Sequence, residues 1–204
     1  PVTWSTVHVV LGQSLHCRRQ RSVLHAATGG VGLAAIEYVH WLGGDVLATA
    51  GRPEKHRLLR TLGIGPLCSS RDGSAFARAA ACLLGGARIH LVLNSLSSDF
   101  PSASVALLGE AGRFEEIGKR NVWAKHRMHA SVGGTVTYDV IAIDSATQQS
   151  PAWMQTVLRR LASRAACGVL HGLPMHTFEL RRQLEAAFRL LPSGRDVGKV
   201  VVRV

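Results

Sequence analysis

Residues 22–32 read SVLHAATGGVG, and this stretch decides the fold. Residues 22–25 are a short apolar run with the character of a buried strand. Ala27-Thr28-Gly29-Gly30-Val31-Gly32 is a glycine turn that leads into the helical pattern of residues 33–42. A strand, a glycine turn and a helix in that order build a phosphate cradle. Gly29 and Gly30 let the backbone approach a pyrophosphate, and Gly32 lets the helix pack close on the strand. The helix N-terminus offers unpaired N–H groups and the positive end of its dipole. The dinucleotide fingerprint is G-x-G-x-x-G, and Ala27 stands at its first glycine, so the match is a variant. Taken alone, the turn reads equally as a helix-packing device with no ligand.

The segments downstream extend the pattern. Gly43-Gly44 stops the helix, and residues 45–50 (DVLATA) are a second strand, completing a β-α-β unit of the length a parallel crossover requires. A protein that binds NAD places an acid at the end of this strand to hold the ribose 2′-hydroxyl. Here the end reads Ala50-Gly51-Arg52-Pro53-Glu54-Lys55, with two cations and Glu54 already inside the next helix start. That arrangement suits a 2′-phosphate, hence NADP(H) over NAD(H). The alternative is an ordinary basic first helical turn. Pro53 opens a helix that ends at Gly63, and residues 68–72 (CSSRD) form a polar turn after a very short strand. A helix over 74–84 leads to the apolar strand 89–93, with Asn94-Ser95-Leu96 at its carboxyl end. A helix over 100–108 and a fifth strand over 112–119 follow, the strand tipped by Lys119-Arg120-Asn121. Strands alternating with helices predict an α/β fold, a Rossmann-type parallel sheet wound on both faces.

The remaining stretches are less regular. Residues 122–134 carry Lys125, His126, Arg127 and His129 with no carboxylate or cysteine at ligand spacing, so they read as a flexible surface loop and not as a metal site. Residues 135–143 are a sixth strand ending at Asp144, and 153–165 an amphipathic helix. Residues 169–175 and 197–204 are extended, with a helix over 179–191 between them. Upstream, residues 1–13 read as an apolar, β-branched lead-in, followed by a polar basic loop over 16–21.

Composition narrows the function classes. At 204 residues and 47% hydrophobic, the chain can bury one sizeable core. No apolar run is long enough to span a membrane, and no signal pattern is present. A start at Pro1 is what a piece of a longer polypeptide would show. Cys17, Cys68, Cys82 and Cys167 lie far apart without a C-x-x-C pair, which reads as free thiols in a reducing, cytoplasmic setting. Lys and Arg outnumber Asp and Glu 24 to 13, but the basic residues are scattered and aromatics are only 5%. The charge therefore reads as a solvated surface favouring anionic ligands, with no nucleic-acid partner and no membrane partner.

The stretches VLHAATGGVG, ATAGRPEKHRLLRTLG, SSRD, LVLNSL, GRFEEIGK, VTYDVIAID, GVLHGLP and GRDVGKVVV occur in an order that resembles one family. It is the enoylreductase domains of modular polyketide synthases and animal-type fatty acid synthase, within the zinc-independent medium-chain dehydrogenase/reductases. The resemblance covers nearly all of residues 22–204. It implies that residues 1–21 lead in from an absent N-terminal lobe, that 22–172 form the NADPH-binding domain, and that 173–204 return to complete a GroES-like substrate-binding lobe. It implies Thr28, Gly29, Gly30, Val31 and Gly32 at the pyrophosphate, Lys55 and Arg71 at the 2′-phosphate, and Asn94, Ser95 and Leu96 near the nicotinamide ribose. Lys119 and Asp144 are then the candidate proton donors, and no metal takes part. The implied activity is NADPH-dependent reduction of the double bond of an enoyl thioester on an acyl carrier protein, within a megasynthase. His90 departs from the family, which has an acid there, and the stretch 125–134 matches poorly. The rival readings are a stand-alone quinone or enone reductase and a catalytically silent structural domain.

Overall fold

The computed structural model describes residues 1–12, 20–132 and 134–204. The polar loop predicted over 16–21, with Cys17, lies outside the described residues up to position 19. In chain order the elements are α1 (Val2–Gly12), β1 (Arg21–Leu24), α2 (Gly30–Trp41), β2 (Asp45–Ala50), α3 (Pro53–Thr61), β3 (Leu67–Ser69), α4 (Gly73–Leu84) and β4 (Ile89–Asn94). They continue with α5 (Phe100–Val105), β5 (Leu108–Glu116), α6 (Lys125–Val132), β6 (Thr137–Val140), α7 (Ile143–Gln149), α8 (Pro151–Ala166), β7 (Met175–Glu179), α9 (Leu180–Ser193) and β8 (Lys199–Arg203).

β1 to β6 form one parallel sheet in the order β3-β2-β1-β4-β5-β6, as the alternating pattern predicts. Strand side chains alternate between the two faces, and this splits the core. Leu24, Val46, Ala48, Leu91 and Leu93 face α1, α2 and α3, where Val7, Val10, Leu11, Ala35 and Leu59 are buried. Val23, Leu47, Val92 and Phe114 face the other way, onto Phe76, Phe100 and Met128 from α4, α5 and α6. The chain reverses its direction of winding between β1 and β4. The carboxyl ends of those two strands therefore flank the crevice where open parallel sheets take their ligands.

Several elements differ from the sequence-based expectation. The lead-in 2–12 is a helix: Val7, Val10 and Leu11 are buried, and burial on α2 overrides the β propensity of its valines. The predicted loop 122–134 contains α6, anchored by the fully buried Met128 and by Arg127 stacked 4.0 Å over Trp123. β5 starts earlier than predicted, at Leu108, with a register break between Ile89 and Leu91 of its neighbour. β6 stops at Val140, so Asp144 lies in the first turn of α7, not at a strand end.

The C-terminal segment is a β-α-β unit of its own, in which β7 pairs in parallel with β8 and α9 crosses between them. It is tied to the glycine turn. The Gly198 amide donates to the Thr28 carbonyl at 2.9 Å, and Gly29 and Gly198 form a parallel bridge. Gly198 has φ +71, and a Cβ there would fall 2.1 Å from the Pro174 carbonyl oxygen, so glycine is required. Among the described residues no helix is long and apolar enough to cross a membrane.

Candidate functional site

The turn after β1 is built by local constraints. The Ala27 amide donates to the Thr49 carbonyl, the Ala26 amide to Thr49 Oγ1, and the Gly29 amide back to the Ala26 carbonyl. Ala26 is thereby held at φ +48, a conformation that disfavours side chains. Beneath it, His25 is fully enclosed between Phe76 and Phe100, with its ring nitrogens on Thr49 Oγ1 and Ser104 Oγ. Burial pushes its pKa down to about 3, so it is a neutral core group. Gly29 is the N-cap of α2 and supplies no side-chain acceptor, so the first-turn amides face the crevice edge without a cap. A Cβ on Gly32 would lie 2.5 Å from Ala27 Cα, which shows how closely α2 seats on the turn.

At the end of β2 the predicted Lys55 and Arg71 converge with Arg52, the N-cap of α3. A Cβ on Gly51 would meet Arg71 Nε at 2.6 Å, and one on Gly194 would meet Arg71 Nη2 at 3.0 Å. Arg52 Nη2 donates to the Ser193 carbonyl at 2.7 Å, while its Nε is buried without a partner. Asp196 stands 3.9 Å from Lys55 Nζ. Burial lowers the Lys55 pKa, Asp196 opposes that shift, and Arg71 and Arg52 reinforce it. Lys199 reaches back over the turn, its Cε 3.0 Å from where a Gly30 Cβ would be. The pocket is therefore lined by cations and walled by the C-terminal unit, a charge pattern suited to an anion. Sequence reasoning reached Lys55 and Arg71 but not Asp196 or Lys199, which no spacing rule connects to a turn so far away in the chain.

The tips of β4 and β5 hold the rest. Asn94 is buried, and its amide donates to the Leu96 carbonyl at 2.8 Å and to Glu116 Oε2 at 2.6 Å. Both of its donors are engaged within the protein, which leaves the exposed Ser95 and the half-buried Leu96 as the outward-facing part of that loop. Glu116, absent from the predicted set, accepts from Asn94 and from the Gly118 amide at 2.6 Å, and so pins the two tips together. An acid two residues before a glycine-lysine pair at the end of a strand was the available signal. Burial raises its pKa against both hydrogen bonds.

Just beyond Gly118, Lys119 Nζ donates to Asp144 Oδ2 at 2.7 Å, so the two predicted proton donors meet past the carboxyl ends of β5 and β6, both mostly exposed. The hydrogen bond from Lys119 holds the Asp144 carboxyl below the usual carboxylate range, with the Ser145 amide adding to it. Among the described residues no group of three or more His, Cys, Asp or Glu side chains is placed to hold a metal ion. The site can thus hold an anionic ligand along the α2 N-terminus and present an ammonium–carboxylate pair beside it.

Comparison with known proteins agrees with this architecture. The chain is 33% identical over 186 residues to one component of the phenolphthiocerol/phthiocerol polyketide synthase of Mycobacterium tuberculosis, covering 91% of this chain but only 8% of that protein. The CurK enoyl reductase superposes with a TM-score of 0.90 at 33% identity, over 99% of this chain and 60% of that one. The nucleotide-binding subdomain of the enoylreductase domain of PpsC from Mycobacterium tuberculosis gives a TM-score of 0.74 at 28% identity, over 83% of this chain and 96% of that one. A family model described as zinc-binding dehydrogenase matches residues 70–202. With that match, the sheet order and the glycine turn in hand, the chain belongs to the zinc-binding dehydrogenase family and is similar to the enoylreductases of polyketide synthases.

Proposed function

We propose that this chain is the cofactor-binding half of an NADPH-dependent enoyl reductase acting on a carrier-bound enoyl thioester inside a polyketide or fatty acid synthase. One observation carries the reading. The glycine turn, the Arg52–Lys55–Arg71 pocket and the Lys119–Asp144 pair all lie along the carboxyl edge of one sheet. The residues suit NADPH: the uncapped α2 N-terminus suits a pyrophosphate, and the buried, unpartnered Arg52 Nε suits a further anion beside Lys55.

When bound, the nicotinamide supplies a hydride to the β-carbon of the enoyl thioester. Negative charge then develops on the thioester carbonyl and the α-carbon. In this reading the Lys119 ammonium stabilises that charge and passes a proton from Nζ to the α-carbon. Asp144 is held ionised by that same lysine, so it orients the ammonium and does not donate the proton. The donor set for a zinc ion is not found among the described residues.

The substrate-binding lobe is the expected partner of the C-terminal unit. Leu180, Leu184, Phe188 and Leu191 follow one another along a face of α9 and are 37–64% exposed, as an interface helix would be. In the complete two-lobe enzyme, replacing Lys119 and Asp144 together by Ala should slow reduction of a carrier-bound crotonyl thioester by about 100-fold while leaving NADPH affinity nearly intact. Unchanged turnover would reject the assigned roles. Faster reduction of a quinone than of the thioester would favour a stand-alone quinone reductase.

A further inference from the structure

Arg52, Lys55 and Arg71 converge at the end of β2 with one acid, Asp196. The acid sits on the C-terminal turn, which Arg52 holds over the pocket through the Ser193 carbonyl at 2.7 Å, with Arg71 Nη2 lying beside Gly194 of the same turn. This docking sets Asp196 Oδ1 3.9 Å from Lys55 Nζ, with the two side chains only 25% and 14% exposed. The lysine best placed to take a 2′-phosphate therefore already faces an anion supplied by the chain itself.

Two anions cannot approach one half-buried ammonium without repelling each other, and screening by water is reduced there. A 2′-phosphate entering the pocket must displace Asp196 or bind against its charge. A nucleotide with a plain 2′-hydroxyl meets no such opposition, because a hydroxyl can donate to a carboxylate.

We propose that Asp196 is a specificity-determining residue, a built-in competitor for the 2′-phosphate that narrows the preference of the pocket for phosphorylated over unphosphorylated nucleotide. This rests on the nucleotide-binding reading above. Arg52, Lys55 and Arg71 still outweigh the single charge of Asp196, so the phosphorylated form stays preferred, by less than these cations would give on their own.

The test uses the full chain, with adenosine 2′,5′-bisphosphate and 5′-AMP as probes, in calorimetric titrations at low salt. In Asp196→Asn the bisphosphate should bind about five- to tenfold tighter and 5′-AMP should stay within about twofold of the parent. The gain should shrink in about 0.5 M NaCl. Asp196→Ser, in which a change of turn geometry would differ but the loss of charge is shared, should give the same selective gain. Circular dichroism and thermal melts check that both variants fold. No gain for the bisphosphate, or an equal gain for both probes, overturns the competitor role while leaving nucleotide binding standing. If neither parent nor variants bind either probe, the nucleotide-binding reading falls and the competitor role falls with it.

Discussion

Replacing Gly32 by Ala tests how the glycine turn is built. The added methyl would sit 2.5–2.6 Å from Ala27 Cα, C and O, all backbone atoms of the turn itself. No rotamer change relieves such an overlap, so α2 must lift off β1 or the turn must deform. Overpacking of this kind costs about 3 kcal/mol or somewhat more, against a helix-propensity gain of about 1 kcal/mol for Ala over Gly. The net loss is roughly 2 kcal/mol, a fall in Tm of about 4–8 °C for a domain of this size. Gly65→Ala is the matched control: nothing lies within 4 Å of its Cβ position and its φ is not left-handed, so its Tm should hold or rise slightly. Differential scanning calorimetry on both variants decides the matter. A Gly32→Ala protein that melts with the parent, or with the Gly65 variant, would refute the close seating of α2 on the turn.

Further outcomes follow from the buried ionisable groups. His25 titrates near 6.5 when unfolded but only at about 3 in the fold, so between those values the unfolded chain binds more protons and stability falls as the pH drops. Urea titrations should show this loss, reaching on the order of 5 kcal/mol at the acid limit, and His25→Gln should flatten the slope; an unchanged slope would contradict a neutral buried imidazole. Glu116 runs the other way. Its folded pKa is raised above 4.5 by burial, so the native state holds the extra proton and stability declines as the pH rises from 4.5 through the folded value. Glu116→Gln should remove that share of the decline, and a variant with the parental profile would count against the buried position of this carboxyl.

The sheet was legible because its signals are local: the glycine turn between Leu24 and Leu33, the β-α-β spacing to Ala50, and apolar runs such as Ile89–Asn94. Asp144, expected at the end of β6, lies four residues past it, yet still beside Lys119. Ile141 donates to the Glu116 carbonyl and carries the register past the strand end. α1 was hidden because its valines argue for a strand, whereas packing against α2 decides its conformation. The walls of the anion pocket were hidden for another reason. The Arg52–Ser193 bond joins residues 141 positions apart, and the Lys55–Asp196 pair depends on the same docking of the C-terminal unit. Glu116 escaped notice because an acid in a strand normally marks a solvent-facing position, and here it is only 3% exposed between two strand tips.

The central claim, that the carboxyl edge of this sheet is shaped for a phosphorylated nicotinamide dinucleotide, meets its most direct test in paired calorimetric titrations of the chain with NADPH and with NADH. The account predicts saturable binding of both, tighter for NADPH, with the difference lost when Lys55 and Arg71 are replaced together by Gln. Equal affinities in the parent chain, or no uptake of either dinucleotide by well-folded protein, would contradict it.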